Sequence, residues 1–413
     1  MNRVFSSLRV RNYRLYFTGQ LISMAGTWMQ AVALAFLVLH LTGSGTQLGL
    51  ATAIRFLPVL LLSPLGGVVA DRTNKRRLLF VTQTAMGVLA AVFAALVATG
   101  LIRLWSVYLL SAALGCLTAF DNPARQSFIP EVVPRAELAN AVTLNSVSIN
   151  ISRVLGAAAG GAIVAALGFA TCFALNAASF GAVVLTLGLM RTRDLNPAEP
   201  AKKERGQVRA GIRYATSTPE LMVPLLLIAV IGTLAWEFQV TLPLIAREVF
   251  HGDAGTYGAM ASTMGVGAVV GGLITAYRGN RSRAAAMSVA AIGWGVAITA
   301  AAVAPAFWVV LLTMLFVGYG SISFNSIAKT ALQLAAAPEM RGRVMALWTL
   351  AWGGSTPIGG PLVGWIGETF GARWSLIAGG VPTILVGLAA LPALRAIDRR
   401  AADRRRQPAE AIT

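Results

Sequence analysis

Four ionisable residues lie deep inside long apolar stretches of this sequence: Glu237, Asp121, Arg55 and Arg153. A charge in the middle of a membrane costs several kcal/mol, so such residues are candidates for function by default. A buried carboxylate avoids this free-energy cost when it binds a proton and becomes neutral. Such a group could carry a proton from one side of the membrane to the other. An arginine stays charged when buried, so each one needs a carboxylate, a carbonyl group or an anionic ligand as partner.

Glu237 is the first candidate for proton transfer. It lies about 25 Å along a helix from Glu220, near or somewhat outside the membrane midplane. Thr233, Glu237 and Thr241 are spaced by four and share one helical face, with Trp236 beside them, so we expect this polar stripe to face a cavity. We predict that Glu237 carries a proton, and the alternative is a static ion pair with a buried arginine.

Asp121 is the second acid at membrane depth, near one end of its apolar stretch. Arg125 follows it by four residues, and the basic cluster Arg72–Arg77 lies on the same side. A bond between Asp121 and one of these arginines at a helix end is the structural alternative. We therefore interpret Asp121 as a gating residue first and as a second proton-coupling residue after Glu237.

Arg55 and Arg153 lie at the same predicted depth. Arg55 precedes Asp71 by 16 residues and Arg153 follows Glu137 by 16, which places both about 24 Å from the same membrane surface. One carboxylate, Glu237, would face both arginines, so the outer part of the cavity would have a charge near +1. That balance favours anionic or neutral cargo over simple cations, unless carbonyl groups or water serve as partners.

Two further polar stripes complete the candidate substrate contacts. Gln20, Ser23, Thr27 and Gln30 share a face of the first apolar stretch, and Ser146, Asn150 and Arg153 share a face of the fifth. The predicted substrate-binding residues are Arg55, Arg153, Gln30, Asn150 and Trp236.

The composition shows which elements must position these residues. Of the 413 residues 56% are hydrophobic and only 12% are charged, whereas a soluble domain has about 25% charged residues, so this surface faces lipid. Two Cys and two His are too few for a disulfide framework or a His/Cys metal cage, and no phosphate-binding P-loop motif occurs. We therefore expect neither a metal nor an organic cofactor. An enzyme would need His, Cys or carboxylates clustered at one site, and the apolar stretches hold at mid-depth no His and only one acid, Glu237, so we predict that the protein is not an enzyme.

Twelve stretches are long and apolar enough to cross the membrane as helices. They are Tyr13–Leu41, Gly45–Ala70, Leu78–Leu101, Leu104–Pro123, Ala139–Leu167, Phe169–Met190, Leu221–Ala246, Gly255–Tyr277, Ala284–Ala304, Phe307–Ala328, Val344–Ile366 and Trp374–Leu394. The sequence thus predicts an all-α membrane protein with twelve transmembrane helices.

The net charge of +18 is a topology signal. With twelve spans, 29 of the 34 Lys and Arg residues fall on the side of the two termini, and three, Arg103, Arg247 and Arg373, fall on the other. By the positive-inside rule both termini are cytoplasmic. We therefore predict a multi-pass protein of a bacterial inner (plasma) membrane, a monomer in the lipid bilayer, and no binding to nucleic acid.

The chain divides into two related halves. A polar stretch at 191–219 reads as a cytoplasmic linker between bundles of six helices at 1–190 and 220–394, and 395–413 is a basic cytoplasmic tail. A shift of 203 positions aligns the halves in one register. Aligned pairs include Gly115 with Gly318, Asn122 with Asn325, Leu144 with Leu347 and Gly156 with Gly359. We expect two pseudo-symmetric bundles that rock about a central cavity.

Residues 66–77, GGVVADRTNKRR, resemble the signature between the second and third helices of the major facilitator superfamily. Its positions are occupied by Gly67, Asp71, Arg72, Lys75 and Arg76. The resemblance implies a gating motif in which Gly67 allows close helix approach. Asp71 would bond to a neighbouring helix end or to Arg72 and hold the cytoplasmic face shut.

Other segments resemble one branch of this superfamily, the transmembrane secretion effectors, which includes macrolide-type drug efflux pumps and exporters of the enterobactin type. They are FDNPARQSFIPEVVP at 120–134, NYRLYFTGQLIS at 12–23 and FQVTLPLIAREV at 238–249. RVLGAAAGG at 153–161 resembles the glycine motif of drug:proton antiporters, with Ala157 at the position of its proline.

The resemblance implies a major facilitator fold and the export of small amphipathic organic molecules. Transport would proceed by proton antiport with alternating access, driven by the proton motive force. A dedicated siderophore exporter is the alternative, and an importer, a lipid translocator and a channel are further ones.

Overall fold

The computed structural model describes residues 5–196, 207–278, 284–337 and 340–406, and its regular elements are helical. The α-helices are α1 (Arg11–Thr42), α2 (Gly45–Arg72), α3 (Lys75–Ala98), α4 (Leu104–Val132), α5 (Leu138–Gly188), α6 (Gln207–Ser217), α7 (Pro219–Ala235), α8 (Phe238–Leu244), α9 (Ala254–Arg278), α10 (Ala284–Val303), α11 (Phe307–Ala335), α12 (Arg341–Gly353), α13 (Thr356–Phe370) and α14 (Ala372–Arg406). A π-helical turn, Ile245–Val249, extends α8.

These helices agree with the twelve predicted crossings. Ten helical segments in the described part of the chain are long and apolar enough to span a membrane. One of them contains α5, which reverses direction at Gly168 (φ 82°, ψ 174°) and so provides both the fifth and the sixth crossing. Glycine fits that left-handed backbone without strain. The eleventh crossing is made by α12 and α13 together, each too short to span alone.

The helices pack in two groups, α1–α5 and α7–α14, and the main contacts between the groups join α2 to α13 and α5 to α9. Residues 197–206 of the predicted linker 191–219 lie outside the described residues, and the role of the linker stays a prediction. Within it, α6 packs on α7 and α12, and the Tyr214 hydroxyl accepts a hydrogen bond from the Ala337 N–H (3.2 Å).

Local signals set the helix ends near the membrane surfaces. The Ser44 hydroxyl accepts a hydrogen bond from the Gln47 N–H at the start of α2, and the Asn74 side chain does the same for Arg77 at the start of α3. Gly43 ends α1 in the left-handed conformation (φ 67°). We call the end of the molecule that carries Arg72–Arg77 the basic end, and the end that carries Gly43 the opposite end.

The two groups are closed together at the opposite end. An ideal Cβ on Gly45 would lie 2.8 Å from the Gly364 carbonyl oxygen, and one on Gly49 would lie 2.2 Å from that of Gly360. Between α5 and α9, a Cβ on Gly161 would lie 2.6 Å from the Ala254 oxygen. Small residues thus allow the backbones of both crossing pairs to touch near this end.

Candidate functional site

The seventh crossing is broken at Glu237. Its first part, α7, ends at Ala235, and α8 begins at Phe238, so Trp236 and Glu237 lie between two helices. The Phe238 N–H bonds to the Trp236 carbonyl oxygen (2.9 Å) in place of the regular helical acceptor. Our prediction of one continuous helix over Leu221–Ala246 is therefore wrong at this point.

The eleventh crossing is broken beside it. Between α12 and α13, Gly354 and Ser355 interrupt the helix, and Thr356 begins α13. The Glu237 carboxylate lies beside Thr356 and against Gly359 and Gly360, and so at the amino-terminal end of α13. The start of a helix stabilises a nearby negative charge, because its first N–H groups have no partner within the helix and point towards that charge.

Glu237 is 3% exposed, and its Oε1 has no hydrogen-bond partner among the described residues. An ideal Cβ on Gly359 would lie 3.0 Å from this oxygen, so glycine leaves room for the carboxylate. The described part of the chain holds two ion pairs, Lys75 with Glu131 and Asp121 with Arg125, and Glu237 is in neither. The arrangement provides a buried carboxylate with one free oxygen, which can accept a proton.

Asp121 has a different environment, because it is fully buried and bonded on all sides. It accepts hydrogen bonds from the Thr82 hydroxyl (2.7 Å) and the Gln83 amide (2.8 Å), and it forms an ion pair with Arg125. These contacts join α3 to α4 and agree with the structural alternative. Its role as a second proton site stays a prediction.

Arg153 and Asn150 lie together on α5. Arg153 Nη2 donates to Asn150 Oδ1 (3.0 Å), Asn150 Nδ2 donates to the Ser146 carbonyl oxygen (2.9 Å), and Arg153 Nε is buried with no partner among the described residues. Arg55 on α2 makes no hydrogen bond or ion pair with any described residue and lines a small cavity with Gln239. Both arginines keep donors that a ligand could use.

The structure places the other two predicted substrate contacts against protein. Gln30 is 5% exposed, and its side-chain oxygen accepts a hydrogen bond from Asn176 Nδ2 (2.5 Å), which ties α1 to α5. Trp236 packs on Trp352 with ring centroids 4.6 Å apart. In this conformation Gln30 is not available to a cargo, whereas Trp236 remains partly exposed.

Lys75 and Arg76 of the predicted gating motif contact residues of the first group of helices. Lys75 Nζ pairs with the buried Glu131 (2.5 Å), and Arg76 Nε donates to the Leu187 carbonyl oxygen near the end of α5 (2.8 Å). Asp71 and Arg72 are exposed and make no hydrogen bond or ion pair with a described residue. The bond expected of Asp71 is therefore not formed in this conformation.

The close helix approach in the gating motif occurs at Gly66 rather than at Gly67. An ideal Cβ on Gly66 would lie 2.0 Å from the Ala119 carbonyl oxygen of α4, whereas one on Gly67 would meet nothing within 4 Å. Gly67, to which we assigned this approach, faces open space here.

Two polar contacts at the opposite end join the groups of helices. Glu368 at the end of α13 accepts hydrogen bonds from the Ser44 hydroxyl (2.6 Å) and the Thr46 N–H (2.9 Å) at the start of α2. Arg247 Nη1 donates to the Leu39 carbonyl oxygen at the end of α1. Both contacts cap a helix end of the other group, which stabilises closure of the opposite end.

The Glu368 contact predicts a pH effect. Hydrogen bonds from Ser44 and Thr46 lower the pKa of Glu368, which lies beyond the apolar span Val344–Ile366. Since these bonds favour the charged carboxylate, their contribution persists above its ordinary titration range and is lost as the pH falls through the lowered value. We expect spin-label distances across the opposite end to stay constant at neutral pH and through the ordinary titration range of a glutamate, and to increase only at more acidic pH.

Variants separate this effect from general acid unfolding. With Glu368→Gln the distances should already be longer at neutral pH and show no acid step. Asp253→Asn is the matched control, because Asp253 bonds within its own group of helices, to Thr256. An acid step that persists unchanged in Glu368→Gln would contradict the assignment.

Sequence reasoning missed two residues of the site, Thr356 and Gln239. A signal for Thr356 was present, since residues 353–357 read GGSTP, and glycines followed by Ser-Thr-Pro are typical of a helix stop and a new start. Gln239 had no comparable signal, because its neighbour Arg55 comes from a helix 184 positions earlier.

Known proteins resemble the chain over nearly all its length. The family described as transmembrane secretion effector matches residues 2–412. The enterobactin exporter EntS of Citrobacter koseri is 24% identical over 380 residues, 91% of this chain and 90% of that protein. The multidrug efflux pump Tap of Mycolicibacterium fortuitum is 25% identical over 389 residues, 91% of this chain and 94% of that protein.

Solved structures share the fold. A bacterial homologue of the human lysosomal transporter Spinster, solved in an inward-facing and unoccupied conformation, superposes with a TM-score of 0.73. The superposition covers 93% of this chain and 97% of that one at 15% identity. The predicted twelve-helix architecture is confirmed.

Proposed function

Since the chain belongs to the transmembrane secretion effector family of membrane transporters, we propose that it exports small amphipathic organic molecules in exchange for protons. Family membership and the relatives support transport across a membrane rather than an enzymatic reaction. The proton as the exchanged ion is supported by one observation above all. Glu237 is a buried carboxylate with an unpartnered oxygen, and it lies where two crossing helices are broken.

Broken helices give this carboxylate a means to act on the transport cycle. The unprotonated carboxylate carries a charge at the start of α13, where it lies beside Thr356 and Gly359. Protonation removes that charge and weakens its attraction to the helix start. The link between the seventh and eleventh crossings would then loosen, and the two groups of helices could move relative to each other.

The direction of transport rests on the predicted topology. If the basic end is cytoplasmic, closure at the opposite end makes this the conformation that receives cargo from the cytoplasm. Protons would enter from outside down the proton motive force, with no cofactor. We also propose that the protein acts as a monomer in the bacterial inner membrane, with both termini and the 191–219 linker in the cytoplasm.

A dedicated siderophore exporter is the second candidate. The observation that favours it is the excess positive charge of Arg55 and Arg153, neither of which forms an ion pair with a described residue. EntS, the relative whose name gives enterobactin as its cargo, matches most of the chain. Accumulation of siderophores or of drugs in an expressing strain separates the two candidates.

Transport by purified protein in liposomes tests the proposal. We expect saturable counterflow of an amphipathic dye such as ethidium or fluorescein, and faster dye movement when an opposing pH gradient is imposed. A flux that increases linearly with dye concentration and does not respond to the pH gradient would contradict the proposal and indicate a channel.

A further inference from the structure

Arg55 is a fixed charge that the described protein leaves without a partner. It lies on α2 at membrane depth and makes no hydrogen bond or ion pair with a described residue. Its guanidinium carbon lies 5.9 Å from the centre of the Phe56 ring. An arginine cannot become neutral in a protein, and an uncompensated charge at this depth is costly. Because Arg55 is only partly buried, its donors are accessible to a negative partner, which the described residues do not provide.

Gln239 faces the same small cavity from the other group of helices. The cavity lies between α1, α2 and α8, and Thr52, Arg55 and Gln239 line it among alanine and leucine side chains. Gln239 makes no hydrogen bond with a described residue, so its amide group is free to donate. The cavity has a volume of about 20 Å³, which is enough for one small chemical group and too little for a whole cargo molecule.

The acids at this depth do not neutralise Arg55. Asp121 is paired with Arg125, and Glu237 lies beside Thr356 and forms no ion pair with a described arginine. Arg153, the second arginine at the predicted depth, binds Asn150 and keeps a buried Nε without a partner. The guanidinium groups of Arg55 and Arg153 and the amide group of Gln239 can thus donate hydrogen bonds. No described residue provides a negatively charged acceptor for them.

We propose that Arg55 and Gln239 form an anion subsite between the two groups of helices, which binds a carboxylate or another oxyanion group of the cargo. This inference rests on the proposed transport function and names the class of molecule carried. Guanidinium groups match oxyanions with two parallel hydrogen bonds, and the Gln239 amide adds a donor from the other side. The apolar remainder of the cargo would extend into the space between the groups.

A pair of dyes with the same ring system tests the subsite. Fluorescein is anionic and rhodamine 6G is cationic, and both contain a xanthene ring. Their binding to the purified full-length protein in detergent can be measured by fluorescence polarisation without any gradient. We expect fluorescein to bind more tightly than rhodamine 6G, and Arg55→Gln to weaken fluorescein binding by about tenfold or more.

Substitution of Gln239 provides an independent test. Gln239→Glu places a carboxylate beside Arg55, so it should occupy the subsite from within and remove the preference for fluorescein. Gln239→Asn keeps an amide on a shorter side chain and Arg55→Lys keeps a positive charge, so each should lose less of the preference than Gln239→Glu or Arg55→Gln. Size-exclusion profiles and melting temperatures show which variants are folded, and Gln239→Glu decides the matter if Arg55→Gln does not fold.

The result can be separated from the proposed proton coupling. Glu237→Gln should keep the preference for fluorescein, because Glu237 does not line the cavity of Arg55 and Gln239, even where proton-driven transport is lost. A wild-type protein without preference for fluorescein would overturn the anion subsite and leave proton coupling intact. So would an unchanged preference in a folded Arg55→Gln or Gln239→Glu protein.

Discussion

Replacement of Glu237 by glutamine is expected to abolish proton-driven export while leaving cargo binding intact. Glutamine keeps the size of the side chain and an oxygen that can accept hydrogen bonds, but it cannot bind and release a proton. In proteoliposomes with an imposed pH gradient, dye transport by Glu237→Gln should fall to the level of protein-free liposomes. Dye binding measured in detergent should stay within the range of the wild type.

The same substitution at Asp121 separates the two buried acids. Asp121→Asn removes one partner of a buried ion pair, which typically costs about 3–5 kcal/mol of stability. Dye transport by the folded fraction of Asp121→Asn should still increase when a pH gradient is imposed, because Asp121 forms an ion pair with Arg125. Undiminished proton-driven transport in Glu237→Gln would contradict the role of Glu237, and its loss in folded Asp121→Asn would transfer that role to Asp121.

Substitution of Gly49 should have the second large effect, on the conformational equilibrium. An ideal Cβ on Gly49 would lie 2.2 Å from the Gly360 carbonyl oxygen and 2.7 Å from Pro361 Cα. These are backbone atoms of α13, so the groups of helices must separate to accept even alanine. Overpacking costs about 1–3 kcal/mol, and this cost applies only to the conformation in which the opposite end is closed. Gly49→Ala should therefore shift the equilibrium roughly 5- to 150-fold towards opening.

Distances between spin labels at Leu101 and Trp308 can measure this opening, because both side chains are exposed at the opposite end, on different groups of helices. The fraction of long distances should rise and the export rate should fall in Gly49→Ala. Gly293→Ala is the matched control, since a Cβ at Gly293 would meet nothing within 4 Å. An unchanged distance distribution in a folded Gly49→Ala protein would contradict the closed contact of α2 with α13.

Hydropathy was sufficient to predict the crossings, since lipid leaves few solutions other than long apolar helices. It could not predict the breaks at Glu237 and Ser355, because a broken crossing has the same apolar length as a continuous one. The GGSTP sequence marks one break, but the other has no glycine or proline between Ala235 and Phe238. The break at Glu237 therefore has no local sequence signal, and it lies beside the break in the eleventh crossing.

The candidate site shows the same division between local and distant contacts. The pair of Asp121 and Arg125 could be predicted, because residues four apart share a helix face. Gln30 was placed on a polar face, but its partner Asn176 is 146 positions away, and its burial follows from that contact. Thr356 likewise reaches Glu237 from a distant crossing. Periodicity identifies which residues share a face, whereas tertiary packing decides what the face touches.

The most direct test of proton-coupled export is movement of protons driven by cargo alone. Proteoliposomes with equal pH inside and outside, a trapped pH dye and a voltage clamped by potassium and valinomycin would receive a cargo gradient. We predict that protons move against the direction of cargo movement in the wild type and do not move in Glu237→Gln. Cargo movement without any pH change in the wild type, or an equal pH change in Glu237→Gln, would contradict the account.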